Sequence, residues 1–312
     1  EMIDILLATY NGEKYLPELL SSLEQQTYTD WKLIIIDDCS KDKTIDVLHS
    51  FQETSKHSVE IFVNSKPVGC GKDNFFALAK KSTSDYIAFC DQDDVWLPNK
   101  LETCIQAMCD AEKENTSLPI LVYSDLKVVD NNLNPISPSF FSYSNYRKNP
   151  QLQHIICQNQ ITGCTILANK ALNQLCIQAQ NYDQILMHDS WYGITAMTFG
   201  KVIYINRPLI LYRQHGNNSV GAINANSIQY KLQRLLNPIN MRRSNYDHIL
   251  EINYFCNIFA KQLQNNPYHN MLVDFANLQI KSRSEYRKVC MKYQIYKFPL
   301  YRKLGQLYYA HH

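Results

Sequence analysis

Apolar residues fall along the first two thirds of the chain in two alternating patterns. Short unbroken runs at 2–8 (MIDILLA), 32–36 (KLIII), 59–63, 86–90 (YIAFC) and 119–124 (PILVYS) read as buried strands. Between them apolar residues recur at helical spacing, as at Leu16, Leu19, Leu20 and Leu23, or at Leu101, Ile105 and Met108 after Pro98. Helices are also predicted over about 43–54, where Ser40 or Asp42 can cap, and over 70–81. This alternation predicts βαβ units: an α/β fold with a mostly parallel, Rossmann-like sheet flanked by helices. Residues 131–158 are polar, aromatic and broken by Pro135, Pro138 and Pro150, and read as a loop-rich excursion. A strand near 164–168, a helix over about 169–179, a helix from MHDSW (187–191) to about 199 and a strand at 201–205 follow. Residues 209–221 read as a Gly/Asn-rich loop that leaves the sheet, and beyond 222 the pattern is helical. The expected domains are therefore 1–222, α/β, and 223–312, a helical extension.

Sheets of this kind bind ligands at the carboxyl ends of their strands. Those ends carry Thr9, Asp37, Asp38, Asp91 and Asp93. Asp91 and Asp93, separated by Gln92, can turn their oxygens toward one point, an arrangement suited to a hard divalent cation such as Mg²⁺ or Mn²⁺. The plainer reading makes them solvated turn residues. Asp37 either meets a ligand or caps a turn, and Asp94 reads as a helix cap. A dinucleotide fold would place its glycine fingerprint after the first strand, where TYNGEKY stands instead. Gly69-Cys70-Gly71 is half a fingerprint on the wrong strand, and no phosphate loop with its lysine occurs. Nicotinamide oxidoreductases and P-loop NTPases are thereby disfavoured.

The composition adds three constraints. With 45% hydrophobic and 19% charged residues among 312, the chain has ample core material. Its ten cysteines form no C-x-x-C pair, and free thiols in a reducing cytosol are expected. No signal-peptide pattern and no bilayer-length apolar run is present. The net charge of +2 hides an asymmetry: residues 1–222 hold 18 Lys and Arg against 25 Asp and Glu, whereas 223–312 hold 13 against 4. That last segment also carries 14 aromatics.

Three stretches in order, ILLATYNGEKYL, LIIIDDCSKDKT and DYIAFCDQDD, resemble the signatures of family-2 glycosyltransferases, enzymes of the GT-A fold. The resemblance covers roughly 2–221. FCDQDDVW, MHDSW and YRQHGNNSVGA are most similar to bacterial rhamnosyltransferases and related sugar transferases of cell-wall and capsule assembly. The resemblance implies that Thr9, Tyr10, Asn11 and Glu13 meet the donor nucleotide and that Asp38 meets its pyrimidine or ribose. It aligns Lys72 and Asn74 with a basic-then-Asn pair, Lys72 approaching the diphosphate. It makes Asp93 the direct metal ligand, with Asp91 toward ribose or metal and Gln92 at the nucleotide sugar. It makes Asp189 the catalytic base of a single inverting displacement. His215 would reach metal or diphosphate, or be a plain loop histidine. Arg213 would pair with phosphate. Trp191 offers a sugar-stacking face or a core anchor, with His188 beside it at the acceptor. Gly216, Asn217, Asn218 and Gly221 would let their loop close over the donor.

The expected activity is metal-dependent transfer of L-rhamnose from dTDP-rhamnose to a polysaccharide or its lipid-linked precursor. A UDP-hexose donor is the enzymatic alternative, and a non-catalytic sugar-nucleotide or glycan-binding module is the alternative of another class. The basic, aromatic C-terminal segment reads as packing on the protein, as a homo-oligomer contact or as a peripheral contact with an anionic membrane surface. No nucleic-acid motif accompanies it, so no nucleic-acid partner is expected. The expected location is the cytoplasm, either free or peripheral at the inner face of the cell membrane.

Overall fold

Nine strands form one sheet in the first of two units into which the chain divides. The computed structural model describes residues 1–113, 115–216, 222, 224, 225, 227 and 238–310. Asn217, Asn218 and Gly221 of the expected closing loop lie outside the described residues. Unit 1 comprises Glu1–Phe140, Ile161–Ile177 and Gly200–Gly221; unit 2 comprises Phe141–Gln160, Gln178–Phe199 and Ala222–His312. The sequence pattern set its boundary at 222; the contacts also group 141–160 and 178–199 with the C-terminal helices.

In unit 1 the apolar runs become β1 (Ile3–Thr9), β2 (Trp31–Asp37), β3 (Val59–Val63) and β4 (Tyr86–Asp91), all parallel, in the order β3-β2-β1-β4. The sheet continues through β8 (Leu167–Asn169), β6 (Ile120–Val129), β9 (Lys201–Arg213) and β5 (Val95–Trp96), with β7 (Pro135–Ser137) beside β6. This second half is mixed: β4–β8, β8–β6 and β9–β5 are antiparallel, and β6–β9 is parallel. Ile3, Ile5, Leu6 and Leu7 of β1 are fully buried because the sheet is covered on both faces. One cover is α1 (Leu16–Glu24), which buries Leu16, Leu19, Leu20 and Leu23, at about 1.5–3 kcal/mol for each side chain removed from water. Others are α2 (Thr44–Thr54), α3 (Gly71–Lys81) and α4 (Lys100–Glu112).

Strand β9 exceeds its predicted length, and β5 was not predicted. β9 runs to Arg213 rather than leaving the sheet at 209, because Ile210 and Leu211 pair with Trp96 and Val95 of β5. β5 is too short to be seen as a strand in sequence. Gly200 precedes β9 where a Cβ would stand 1.7 Å from the Pro119 carbonyl oxygen, so only glycine permits that approach. The strand expected near 164–168 is a 3₁₀ turn, Gly163–Thr165, followed by β8.

Unit 2 is helical. Its main elements are His188–Phe199, Pro238–Ile258, His269–Ala276, Arg283–Tyr293 and Leu300–Tyr308. Trp191, Phe255, Phe259 and Phe275 are fully buried in its core. Arg283–Tyr293 starts at a capping box in which Ser282 Oγ accepts from the Glu285 N–H and the Glu285 carboxylate accepts from the Ser282 N–H. All ten cysteines are free thiols, as expected.

Candidate active site

The loops that leave β1 and β2 lock into each other. Thr9 Oγ1 donates to Asp37 Oδ1 at 2.8 Å, and Asp37 also accepts the Ser40 N–H at 2.8 Å and the Ser40 hydroxyl at 2.6 Å. Asp37 is fully buried and therefore holds a turn. Asn11, at φ 46°, accepts the Lys41 N–H at 2.8 Å and donates its own N–H to Ser40 Oγ at 2.8 Å. Glu13 accepts the Lys43 N–H at 2.8 Å. The Gln92 amide, from the loop after β4, pairs with both main-chain groups of Tyr10 at 2.9 Å, leaving the Tyr10 ring 50% exposed. A Cβ on Gly12 would lie 2.5 Å from Gln92 Oε1, so a side chain there would displace the Gln92 amide from Tyr10.

Asp38 reaches forward to shape the loop before α3. It accepts Asn64 Nδ2 at 2.7 Å, the Val68 N–H at 2.8 Å and the Gly69 N–H at 2.8 Å. Burial pushes its carboxyl up, but these donors outweigh burial and hold it below the ordinary carboxylate range. Asn64 also donates to Asn74 Oδ1 at 2.9 Å, which ties α3 to the same network. Lys72 lies half-buried in the first turn of α3.

At the tip of β4, Asp91 and Asp93 are half-buried and Asp94 is buried. His215 Nε2 stands 2.8 Å from Asp93 Oδ2, and its ring stacks on Tyr15 with centroids 4.8 Å apart. Two adjacent ligands of an octahedral ion with bonds of about 2.1 Å lie about 3 Å apart, so the carboxylate–imidazole pair has the spacing and donor set of a metal site. Arg213 fixes the surroundings. It is buried, donates to the main-chain carbonyls of Asp93 and Asn131 at 2.8 Å, and pairs with Glu18. Its guanidinium is engaged by the protein, which corrects the expected phosphate contact.

Asp94 is no helix cap. Its Oδ1 accepts the Arg213 N–H at 3.1 Å, and ligand atoms of Asp91, Asp94 and Cys164 lie within 4.8 Å of one another. Burial pushes the Asp94 carboxyl well above the ordinary range, and Asp93 and Asp91 add to the effect. Behind this cluster Lys100 is fully buried with its ammonium 3.4 Å from the Trp96 ring centroid. Burial pushes Lys100 down, while Cys104, Cys90, Cys164 and Asp94 pull it up.

The other three candidates belong to unit 2. Asp189 lies in the first turn of His188–Phe199, half-buried, with Oδ1 accepting Asn159 Nδ2 at 2.8 Å and the Ser190 N–H at 2.6 Å. Trp191 is fully buried against Tyr254, Phe255 and Phe259. Its ring has no exposed face for a sugar, so it is the core anchor. His188 is buried too, and burial pushes its imidazole down to about 3. A neutral ring inside the core replaces the expected acceptor contact.

Sequence reasoning missed Asn159, Tyr15, Asn131 and Asn64. Each acts on a residue distant in the chain, so only a pairing signal between positions could have found them.

The glycosyl transferase family 2 model matches residues 4–176. The dTDP-rhamnosyl transferase RfbG of Shigella flexneri is 30% identical over 242 residues, covering 72% of this chain and 77% of that protein. The Escherichia coli UDP-Glc:alpha-D-GlcNAc-diphosphoundecaprenol beta-1,3-glucosyltransferase WfgD is 30% identical over 151 residues, covering 47% of this chain and 56% of that protein. Among solved structures, S. aureus TarS 1-349 in complex with UDP aligns with a TM-score of 0.58 at 15% identity, covering 94% of this chain and 91% of that one. At that identity the likeness is one of fold, the GT-A arrangement.

Proposed function

This chain belongs to glycosyl transferase family 2, and we propose that it transfers L-rhamnose from dTDP-rhamnose to a saccharide acceptor, with inversion, in bacterial surface polysaccharide synthesis. The observation that carries the chemistry is the Asp93–His215 pair at 2.8 Å on the tip of β4. The donor sugar rests on the Shigella relative, named as a dTDP-rhamnosyl transferase. The acceptor is a growing polysaccharide or its lipid-linked precursor, met at the cytoplasmic face of the membrane.

Asp93 and His215 would hold Mn²⁺ or Mg²⁺, with Asp91 beside them, and a cation there would supply positive charge against the departing nucleoside diphosphate. Tyr10, with its exposed ring, and Lys72 meet the nucleotide. Thr9, Asn11, Glu13, Asp38, Asn74 and Gln92 shape the loops that receive it, since their side chains already hold neighbouring loop groups. Asp189 takes the proton of the acceptor hydroxyl as that oxygen attacks the anomeric carbon. Asn159 and the Ser190 N–H hold one of its oxygens and so fix the carboxylate.

A UDP-hexose donor is the second reading, favoured by the E. coli relative named as a UDP-Glc glucosyltransferase. A panel of sugar nucleotides with Mn²⁺ separates the readings, because a ligand that binds the native state raises the melting temperature. dTDP-rhamnose is expected to give the largest rise and to be consumed when acceptor is added, yielding product of inverted anomeric configuration by NMR. A larger rise with UDP-glucose overturns the rhamnose donor. Binding without turnover on any acceptor favours a sugar-nucleotide-binding module.

A further inference from the structure

The helix Leu300–Tyr308 is inside out. Leu300, Leu304 and Tyr308, one helical turn apart in succession, are 67%, 58% and 69% exposed. Its polar residues Arg302 and Gln306 are instead 5% and 2% exposed. Gln306 is held inside by the Tyr286 hydroxyl at 3.1 Å, the Ile295 carbonyl at 3.2 Å and the Lys297 N–H at 2.8 Å. A helix facing water has the opposite arrangement, because each exposed leucine forgoes about 1.5–3 kcal/mol of burial. The outward face of this helix is therefore built for a phase other than water.

Its surroundings identify that phase. Residues 281–309 hold eight Lys and Arg and one acid, Glu285. Arg287 donates from Nε to the Leu307 carbonyl at 2.8 Å, which sets an exposed guanidinium beside the apolar stripe. Arg283 and Lys288 are exposed on the same helix as Arg287, and Met291, one turn beyond Arg287, is 58% exposed. An apolar stripe bordered by cations matches an anionic bilayer surface, where acyl chains take the leucines and each basic residue near the headgroups adds about 1 kcal/mol. A second copy of the chain would bring like charges together.

We propose that the face formed by Leu300, Leu304 and Tyr308, with Arg283, Arg287 and Lys288, docks this protein on an anionic membrane surface. This face lies apart from the residues assigned to the donor in sequence, and docking does not depend on which sugar is transferred. It gives the proposed transferase a way to meet a lipid-linked acceptor without crossing the bilayer. Among the described residues no helix is long and apolar enough to cross.

Vesicle flotation of the full chain tests the proposal. Wild-type protein is expected to float with phosphatidylcholine vesicles containing phosphatidylglycerol and to stay down with phosphatidylcholine alone. The triple variant Leu300→Ser, Leu304→Ser, Tyr308→Ser is expected to bind the anionic vesicles at least about tenfold more weakly. Arg283→Glu with Lys288→Glu is expected to weaken binding similarly and to remove its salt dependence. Both variants change exposed side chains, so the melting temperature and turnover on a water-soluble acceptor should match wild type. Those readouts report on the transferase reading independently of docking. Wild-type protein that stays at the bottom, or a serine variant that floats like wild type, overturns the proposal. So does a dimer seen by light scattering that the serine variant abolishes, which would make a second copy the occupant.

Discussion

Two regions of unit 1 carry aspartates at strand ends, and they use them differently. At the ends of β1 and β2, Asp37 is fully buried with Thr9 and Ser40 as donors, and Asp38 accepts three hydrogen bonds from its own loops. At the tip of β4, Asp93 is 17% exposed in its side chain and faces an imidazole, itself a metal ligand by type. The same residue type at equivalent places in a sheet is architectural when fixed main-chain and hydroxyl donors saturate it. It is available for chemistry when the group it faces can share a cation with it. Asp189 shares only the partial burial of Asp93: its Oδ1 is held by fixed donors, the Asn159 amide and the Ser190 N–H.

The strongest test of that distinction is Asp189→Asn. Turnover should fall by about 10²–10⁴, the range for loss of a general base, with nucleotide affinity and melting temperature unchanged. Unaltered turnover in a purified, folded variant would remove Asp189 from the mechanism. Asp93→Ala should abolish the Mn²⁺ dependence of donor binding, and His215→Ala should weaken it. Calorimetric titration with and without Mn²⁺ reads both, and equal affinities in wild-type protein would contradict the metal role.

Asp37→Ala should act on the opposite quantity. Each buried donor left unsatisfied costs roughly 1–3 kcal/mol, so the denaturation midpoint falls while the folded fraction keeps its metal dependence. A loss of metal binding at unchanged stability would erase the distinction between the two regions.

Two pH effects are smaller. His188 and His248 are each pushed down to about 3, burial being the main cause. An unfolded histidine titrates near 6.5, so the stability of their neutral burial is complete above about pH 6.5. It is lost as pH falls toward 3, at about 1.4 kcal/mol per pH unit for each histidine. His188→Gln should remove about half of that acid slope in denaturant melts between pH 7 and 5. Asp38 is held below its ordinary value, so its stabilisation is present above about pH 3.9 and disappears as pH falls through the folded value. The stability deficit of Asp38→Asn at pH 7 should therefore shrink as pH falls below the ordinary carboxylate range.

The parallel half of the sheet was legible because β1, β2 and β4 are short apolar runs that end in polar residues. The candidacy of Asp91, Asp93 and Asp189 came from their motifs, and the roles given to them are a proposal. Arg213 was misread because its partners, Glu18 and the carbonyls of Asp93 and Asn131, come from three distant segments. Trp191 has the same character in a motif whether it faces sugar or core, and the surrounding Phe255 and Phe259 decided for the core.

By itself, then, the sequence determined the alternation of elements, the acidic strand ends and the family. These rest on local spacing and on motifs that a linear chain displays. Tertiary structure alone decided which acids are saturated, which cation is buried and which helix turns its leucines outward. A side chain's solvent exposure and hydrogen-bond partners come from segments far away in the chain, and those are fixed only when the fold closes.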